Sequence, residues 1–249
     1  MGIEVFIIAA LGALIGGLVQ GLSGFAFTMV AMSVWVWRLD PLLSAVLAVC
    51  GAFFGQVVGL VSIRRQFLWP ILLPFIAGGF LGMPLGFKIL PYIEIVYLKM
   101  GLGILLLVWC PAMLFMDRLP RLVIRGRLLS GVMDGLVGFL GGILGVLAGL
   151  SGSLPALWCL LRGYEKDLQR AIFQYYNLSI LGVTMALYIA RGLITQPMLP
   201  VLGVVLLILF IPVIIGTRLY KTIDERTFRR VVLVLLTLSG MALLISAGL

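Results

Sequence analysis

Gly149-Leu150-Ser151-Gly152 lies inside the apolar run Leu128–Leu161, and Gly21-Leu22-Ser23-Gly24 lies inside the apolar run Ile3–Trp37. The two tetrapeptides are identical and stand 128 positions apart, just over half of the 249-residue chain. Each host run is about 34 residues long. A straight helix of that length would extend about 51 Å, against a bilayer hydrocarbon core of about 30 Å. Each run must therefore tilt steeply, break or turn back. Gly-Leu-Ser-Gly permits a break. Glycine tolerates positive φ and lets another backbone or a ligand approach closely. Serine can cap the helix that follows.

Six further apolar segments accompany these two: Leu42–Ile63, Leu68–Leu90, Ile95–Met116, Leu168–Ala190, Met198–Leu219 and Phe228–Leu249. Other matches keep nearly the same spacing. Gly17 pairs with Gly145, Gly55 lies near the counterpart of Gly182, and Gly86-Phe87-Lys88 parallels Gly216-Thr217-Arg218. The expected organisation is two homologous halves of four segments each, residues 1–120 and 125–249. The basic loop Asp117–Arg127 joins them.

Composition agrees with a membrane-spanning chain. Hydrophobic residues make up 63% of it and only 27 residues are charged, 18 basic and 9 acidic. Soluble domains run about 45–50% apolar and about 25% charged, and disorder needs low hydrophobicity, so both classes are excluded. A β-barrel would alternate apolar and polar residues, whereas these runs are continuous. The fold expected is an all-α polytopic membrane protein. Cys50, Cys110 and Cys159 are single and widely spaced inside apolar runs, so they read as small buried hydrophobes. Glu4 stands where a signal peptide carries positive charge, so the first segment reads as retained.

The net charge of +9 bears on topology, because cytoplasmic loops are rich in Lys and Arg. Eight single crossings would divide the basic residues 11 to 7. If each long segment is instead a hairpin that returns at its Gly-Leu-Ser-Gly, 14 collect on one side. Only Arg38, Lys88, Lys99 and Arg191 fall on the other. The sharper split favours re-entrant first segments and halves of opposite orientation, an inverted repeat of the kind many transporters use. Both termini then face outside. A parallel repeat of eight simple crossings is the alternative. The basic residues sit between apolar runs and not on one face, so no nucleic-acid partner is expected; the bilayer is.

A broken backbone at membrane depth is tolerated where protein or a water-filled cavity covers it. The helix after each break points free N–H groups and the positive end of its dipole at the apex. Two apices meeting near the midplane would attract a small anion without a buried Lys or Arg. Pro155 falls in the first turn of the second returning helix, where its missing N–H costs little. The candidate substrate-binding residues are Gln20, Gly21, Ser23, Gly24 and Phe25 in the first half. In the second they are Gly149, Ser151, Gly152, Ser153, Gln174 and Asn177. Backbone N–H groups around Gly24–Ala26 and Gly152–Leu154 would hold the anion's oxygens, with Gln20, Gln174 and Asn177 as neutral donors. Gln56, Tyr175 and Tyr176 are further polar residues inside apolar runs. The glycines could instead serve tight helix packing and the amides interhelical hydrogen bonds.

Asp134 is the one acidic residue well inside an apolar run. Intramembrane ionisable groups are functional candidates, and it could carry a coupling proton or pair with a loop arginine. Arg64 and Arg65 could draw anions to a cytoplasmic mouth or act only as topology determinants. The chain has no His, no nucleotide-binding loop, no metal-ligand cluster and no nucleophile with a partner base. No enzyme activity, cofactor or metal is expected. A homodimer is left open.

With these residues in view, the chain resembles the sulfite exporter TauE/SafE family of bacterial membrane permeases. The second copy, Gly149-Leu150-Ser151-Gly152-Ser153-Leu154-Pro155-Ala156-Leu157, is closest to the family's G-x-x-G-x-G-G-G-x-x-x-P pattern. It lacks the Gly-Gly-Gly run, and the first copy, Gly21–Met29, lacks the proline as well. These departures bear on the substrate rather than on the fold. The resemblance covers nearly the whole chain. It implies transport of small anions such as sulfite, sulfoacetate-like sulfonates or other organosulfur compounds across a bacterial inner membrane. The expectation is a secondary transporter working by alternating access. A passive anion channel, an integral-membrane enzyme or a scaffold subunit are the alternatives.

Overall fold

Each long apolar run is two helices in the computed structural model. The structure describes residues 2–24, 26–60, 69–115, 122, 124, 126–219 and 225–248. In the first run α1 (Ile3–Ser23) is followed by α2 (Phe27–Trp35); in the second α6 (Arg127–Ala148) is followed by α7 (Ser153–Leu161). The remaining helices are α3 (Pro41–Leu60), α4 (Trp69–Ile89), α5 (Ile95–Leu114), α8 (Lys166–Ala190), α9 (Leu199–Leu219) and α10 (Glu225–Ser246). There is no strand among the described residues. Seven helices there are long and apolar enough to cross a membrane, namely α1, α3, α4, α5, α6, α8 and α9, and α10 carries a shorter apolar stretch. The protein is an all-α polytopic membrane protein.

The breaks fall late. Twenty-one residues precede the first and nine follow it; 22 precede the second and nine follow. Glycine in the left-handed region ends both first arms. Gly24 has φ +86° and donates its N–H to Gln20 O; Gly149 has φ +69° and donates to Gly145 O. A side chain there would crowd its own backbone. The two breaks differ by one turn: α1 runs through its Gly-Leu-Ser, whereas α6 stops before the equivalent residues. Neighbours account for the difference. Gly21 is pressed against the backbone of α9 at Val213, Gly216 and Thr217 and stays helical. Pro155, in the first turn of α7, could not continue a helix that ran through Ser151, because its ring would strike the carbonyl four residues back.

The short second arms fold back along the first. Trp35 Nε1 donates to Ile8 O at 3.2 Å, and Phe27 packs on Gly16, so α2 runs antiparallel to α1. Arg162, just after α7, donates to Ser130 Oγ at 2.8 Å, and Leu122 N donates to Leu161 O at 2.7 Å. Both ends of the α6–α7 hairpin thus lie together. Lateral packing uses small residues, which let helices approach closely without a hydrophobic driving force from lipid. Gly78, Gly82, Gly138 and Gly142 form one seam between α4 and α6, where an added methyl would run into the facing carbonyls; Gly17 and Gly21 form another between α1 and α9. Within both seams the helices run parallel. In contrast, Gly59 against Gln174 and Gly182 against Phe53 set α3 and α8 antiparallel, and Gly103 and Leu106 against Leu244 and Gly240 do the same for α5 and α10.

Candidate functional site

The two hairpin tips converge on α3 and α8. Gly149 rests on the α3 backbone at Ala48 and Val49, and Gln56, two turns further along α3, donates its Nε2 to Gly24 O at 3.1 Å. The tips therefore touch α3 about 12 Å apart along its axis. A hydrogen bond joins them: Thr28 Oγ1 donates to Gly149 O at 3.0 Å. Between them lies a cavity of only about 10 Å³, lined among others by Thr28, Gln56, Gly149, Gly152, Ser153 and Asn177. That is room for about one water, so the tips are closed on each other.

The second tip is heavily cross-linked. Ser151 Oγ donates to Asn177 Oδ1 at 2.7 Å, Gly152 lies against the same amide, and Ser153 Oγ donates to Leu150 O at 2.7 Å. Trp109 Nε1 from α5 donates to Ser153 O at 2.8 Å. Tyr176 OH donates to Gly138 O at 2.6 Å and Tyr188 OH to Val146 O, fixing α8 to α6. Tyr176 and Tyr188 are thus in structural positions.

The first tip is a cluster of amides. Gln20, Gln56 and Gln174 are all buried. Gln20 lies against Gly55 and Gln174 against Gly59, so all three gather on one face of α3. Gln20 Nε2 donates to Ala52 O at 3.4 Å. Arg170, in the second turn of α8, brings its guanidinium and Phe173 its ring against Gly24.

Several expected backbone donors are already committed in this closed arrangement. Gly24 N donates to Gln20 O at 2.7 Å, Ala26 N to Ser23 Oγ at 3.1 Å, and Ser153 N to Leu150 O at 3.3 Å. Among the named candidates, Gln20, Ser23, Gly24 and Gln174 gather at the first tip, whereas Gly21 packs on the α9 backbone; Gly149, Ser151, Gly152, Ser153 and Asn177 belong to the second. Phe25, Arg64 and Arg65 lie outside the described residues. Asp134 is buried but sits about 21 Å back along α6 from its end. It accepts from Trp158 Nε1 at 2.6 Å and from Ser130 Oγ at 3.4 Å, near the open end of the second hairpin. No group of three or more His, Cys, Asp or Glu that could hold a metal occurs among the described residues.

Sequence reasoning missed Arg170, which it counted as a loop charge, and Thr28, which it did not single out. The signal for Arg170 was present: it stands four residues before Gln174, on the same face of one helix.

A family description matches nearly the whole chain: Sulfite exporter TauE/SafE, over residues 8–243. Comparison with curated proteins gives no match, and neither does comparison with solved structures.

Proposed function

The chain belongs to the sulfite exporter TauE/SafE family, and from that premise we propose that it is a secondary transporter that binds a sulfite, sulfonate or other organosulfur anion between its two hairpin tips. Membership makes it a membrane transporter of sulfite or related anions. The observation that carries the finer reading is the meeting of the tips: two broken helices, linked by Thr28 and Gly149, close over a water-sized cavity lined by polar groups from four helices. Irregular backbone inside an apolar fold is tolerated where it lines a cavity. The tip-proximal ends of α2 and α7 supply a positive field, and Arg170 adds a formal charge that the amides do not provide.

Residues 1–120 and 125–249 are read as inverted repeats. The antiparallel setting of α3 against α8 and α5 against α10 supports an in-plane pseudo-twofold, because a parallel repeat would align each pair. Alternating access would then draw the two tips away from each other, breaking the Thr28–Gly149 bond. The closed cavity favours a carrier over an open channel. Asp134, the one buried acid among the described residues, is the proposed proton carrier. The termini are assigned to the outside of a bacterial inner membrane, and Arg64 and Arg65 to the cytoplasmic mouth.

The test is flux of sulfite and sulfonates into liposomes holding the purified chain, with and without a pH step. Gly152→Leu and Gly24→Leu are expected to abolish uptake while the protein still inserts. Normal uptake by both variants would refute the paired-tip site, and a cytoplasmic reporter at Leu249 would refute the orientation. Uptake that never exceeds the external concentration under any gradient would favour a channel.

A further inference from the structure

The amide cluster at the first tip presents acceptors. Gln20 and Gln56 each turn their nitrogen toward a backbone carbonyl, Ala52 O and Gly24 O. Flipping either amide would set two oxygens face to face, so the oxygen ends point the other way. Gln20 Oε1 and Gln56 Oε1 are buried and have no hydrogen-bond partner, and neither amide atom of Gln174 has one. The three residues are 2%, 1% and 0% exposed. Buried polar atoms are nearly always paired, so three such groups around one stretch of α3 mark a place where a partner enters.

An anion that offers acceptors alone is a poor partner. It could accept from Gln174 Nε2 but would set its other oxygens against those of Gln20 and Gln56. A ligand that satisfies both needs negative charge on one side and an N–H or O–H on the other. We propose that the first tip selects small anions carrying a hydrogen-bond donor, whether a hydroxyl, an amine or an acidic proton on the oxyanion itself. Anions without one are discriminated against. The inference rests on the reading that the tips hold the transported anion, and it names which members of that class bind. Sulfite as its protonated monoanion meets the requirement; sulfate and simple alkylsulfonates do not.

Two sulfonates of nearly equal size test this. Ethanesulfonate has no donor, and 2-hydroxyethanesulfonate has one. Both are used to compete with sulfite uptake into liposomes holding the full chain. The hydroxylated compound is expected to inhibit at a concentration at least about tenfold lower, as for a site built to pair with a hydroxyl. Gln56→Met, which keeps the length and removes the acceptor, is expected to shrink that ratio to near one. Gln20→Met serves if the first variant does not fold. Equal inhibition of the wild type by the two compounds overturns the inference and leaves the anion reading standing. A ratio that survives both substitutions overturns the role of the glutamines. So does a requirement for sodium without any donor preference, which would give the oxygens to a cation. Sulfite uptake that neither sulfonate inhibits also overturns it, and absence of sulfite uptake removes the transport reading together with this one.

Discussion

Alanine substitution at three glycines separates backbone strain from crowding at the tips. Gly192, Gly24 and Gly149 have φ of +67°, +86° and +69°, so an alanine at any of them pays a similar left-handed penalty, about 1–2 kcal/mol. Their surroundings differ. A methyl at Gly192 would meet nothing within 4 Å. At Gly24 its nearest neighbour is Arg170 Nε at 3.4 Å, an ordinary contact with a movable side chain. At Gly149 it would lie 3.0 Å from the Ala48 carbonyl carbon and 3.1 Å from Val49 N, both backbone atoms of α3 that cannot step aside. Forcing an extra methyl into a packed interior costs about 1–3 kcal/mol. Gly192→Ala and Gly24→Ala are therefore expected to destabilise by about 1–2 kcal/mol, and Gly149→Ala by about 2–5 kcal/mol. Equilibrium unfolding in mixed micelles, followed by far-ultraviolet circular dichroism, measures the order directly. The order matters more than the absolute values, because all three changes share the same unfolded-state term. If Gly149→Ala is no more destabilising than Gly192→Ala, the second tip does not bear on α3 as described.

Thr28→Val removes the donor that links the tips and leaves Gly149 O buried without it; the same titration is expected to report a loss of about 1–3 kcal/mol. Asp134→Asn keeps an acceptor for Trp158 Nε1, turns the other bond round so that its Nδ2 donates to Ser130 Oγ, and cannot release a proton. It is expected to fold as the wild type does and to lose accumulation driven by a pH gradient; full accumulation would assign Asp134 to holding the hairpin alone. Arg170→Gln is expected to raise the KM for sulfite about tenfold or more, the cost of one charge-assisted contact. Arg162→Gln, whose partners are Ser130 and Tyr164, is expected to leave KM within about threefold, a change that corresponds to less than one such contact. A smaller effect at Arg170 than at Arg162, read from initial rates in liposomes, would remove the guanidinium from the site.

Much of the architecture was legible in residue order because the cause was local. A 34-residue apolar run must tilt steeply, break or turn back, and Gly-Leu-Ser-Gly permits the break; helix ends fall at both copies. The position of each break was not legible. Gly21 and Gly149 are equivalent in sequence, yet one is helical and the other left-handed, because α9 presses on the first and α3 supports the second. Those contacts join residues far apart in the chain, and no tetrapeptide contains them. The candidate site divides the same way. The glycines and serines of the motif announced themselves by repetition, and Asn177 and Gln174 by polarity in an apolar run. Arg170 did not, because a cation four residues into a helix looks like any charge at a membrane boundary until α1 is seen to bring Gly24 down to it. Which end of Gln20 and of Gln56 faces inward is likewise decided by carbonyls outside their own helices.

For the alternating-access carrier proposed above, the one-turn inequality between the hairpins has a kinetic consequence. In a carrier whose halves were related by a strict twofold, the states open to either side would be interchanged by that rotation and equal in energy, and uptake and efflux would saturate alike. Here one tip is held through Ser151, Asn177, Ser153 and Trp109 and the other through Gln20, Ser23 and Gln56, so opening toward one face breaks different bonds from opening toward the other. The half-saturation concentrations on the two faces should then differ. In the absence of a driving ion, the maximum rates must differ in the same proportion, since a passive carrier cannot move the equilibrium. The resting protein would wait with one doorway ajar more often than the other, and its direction of service in the cell would owe as much to that lean as to the gradient.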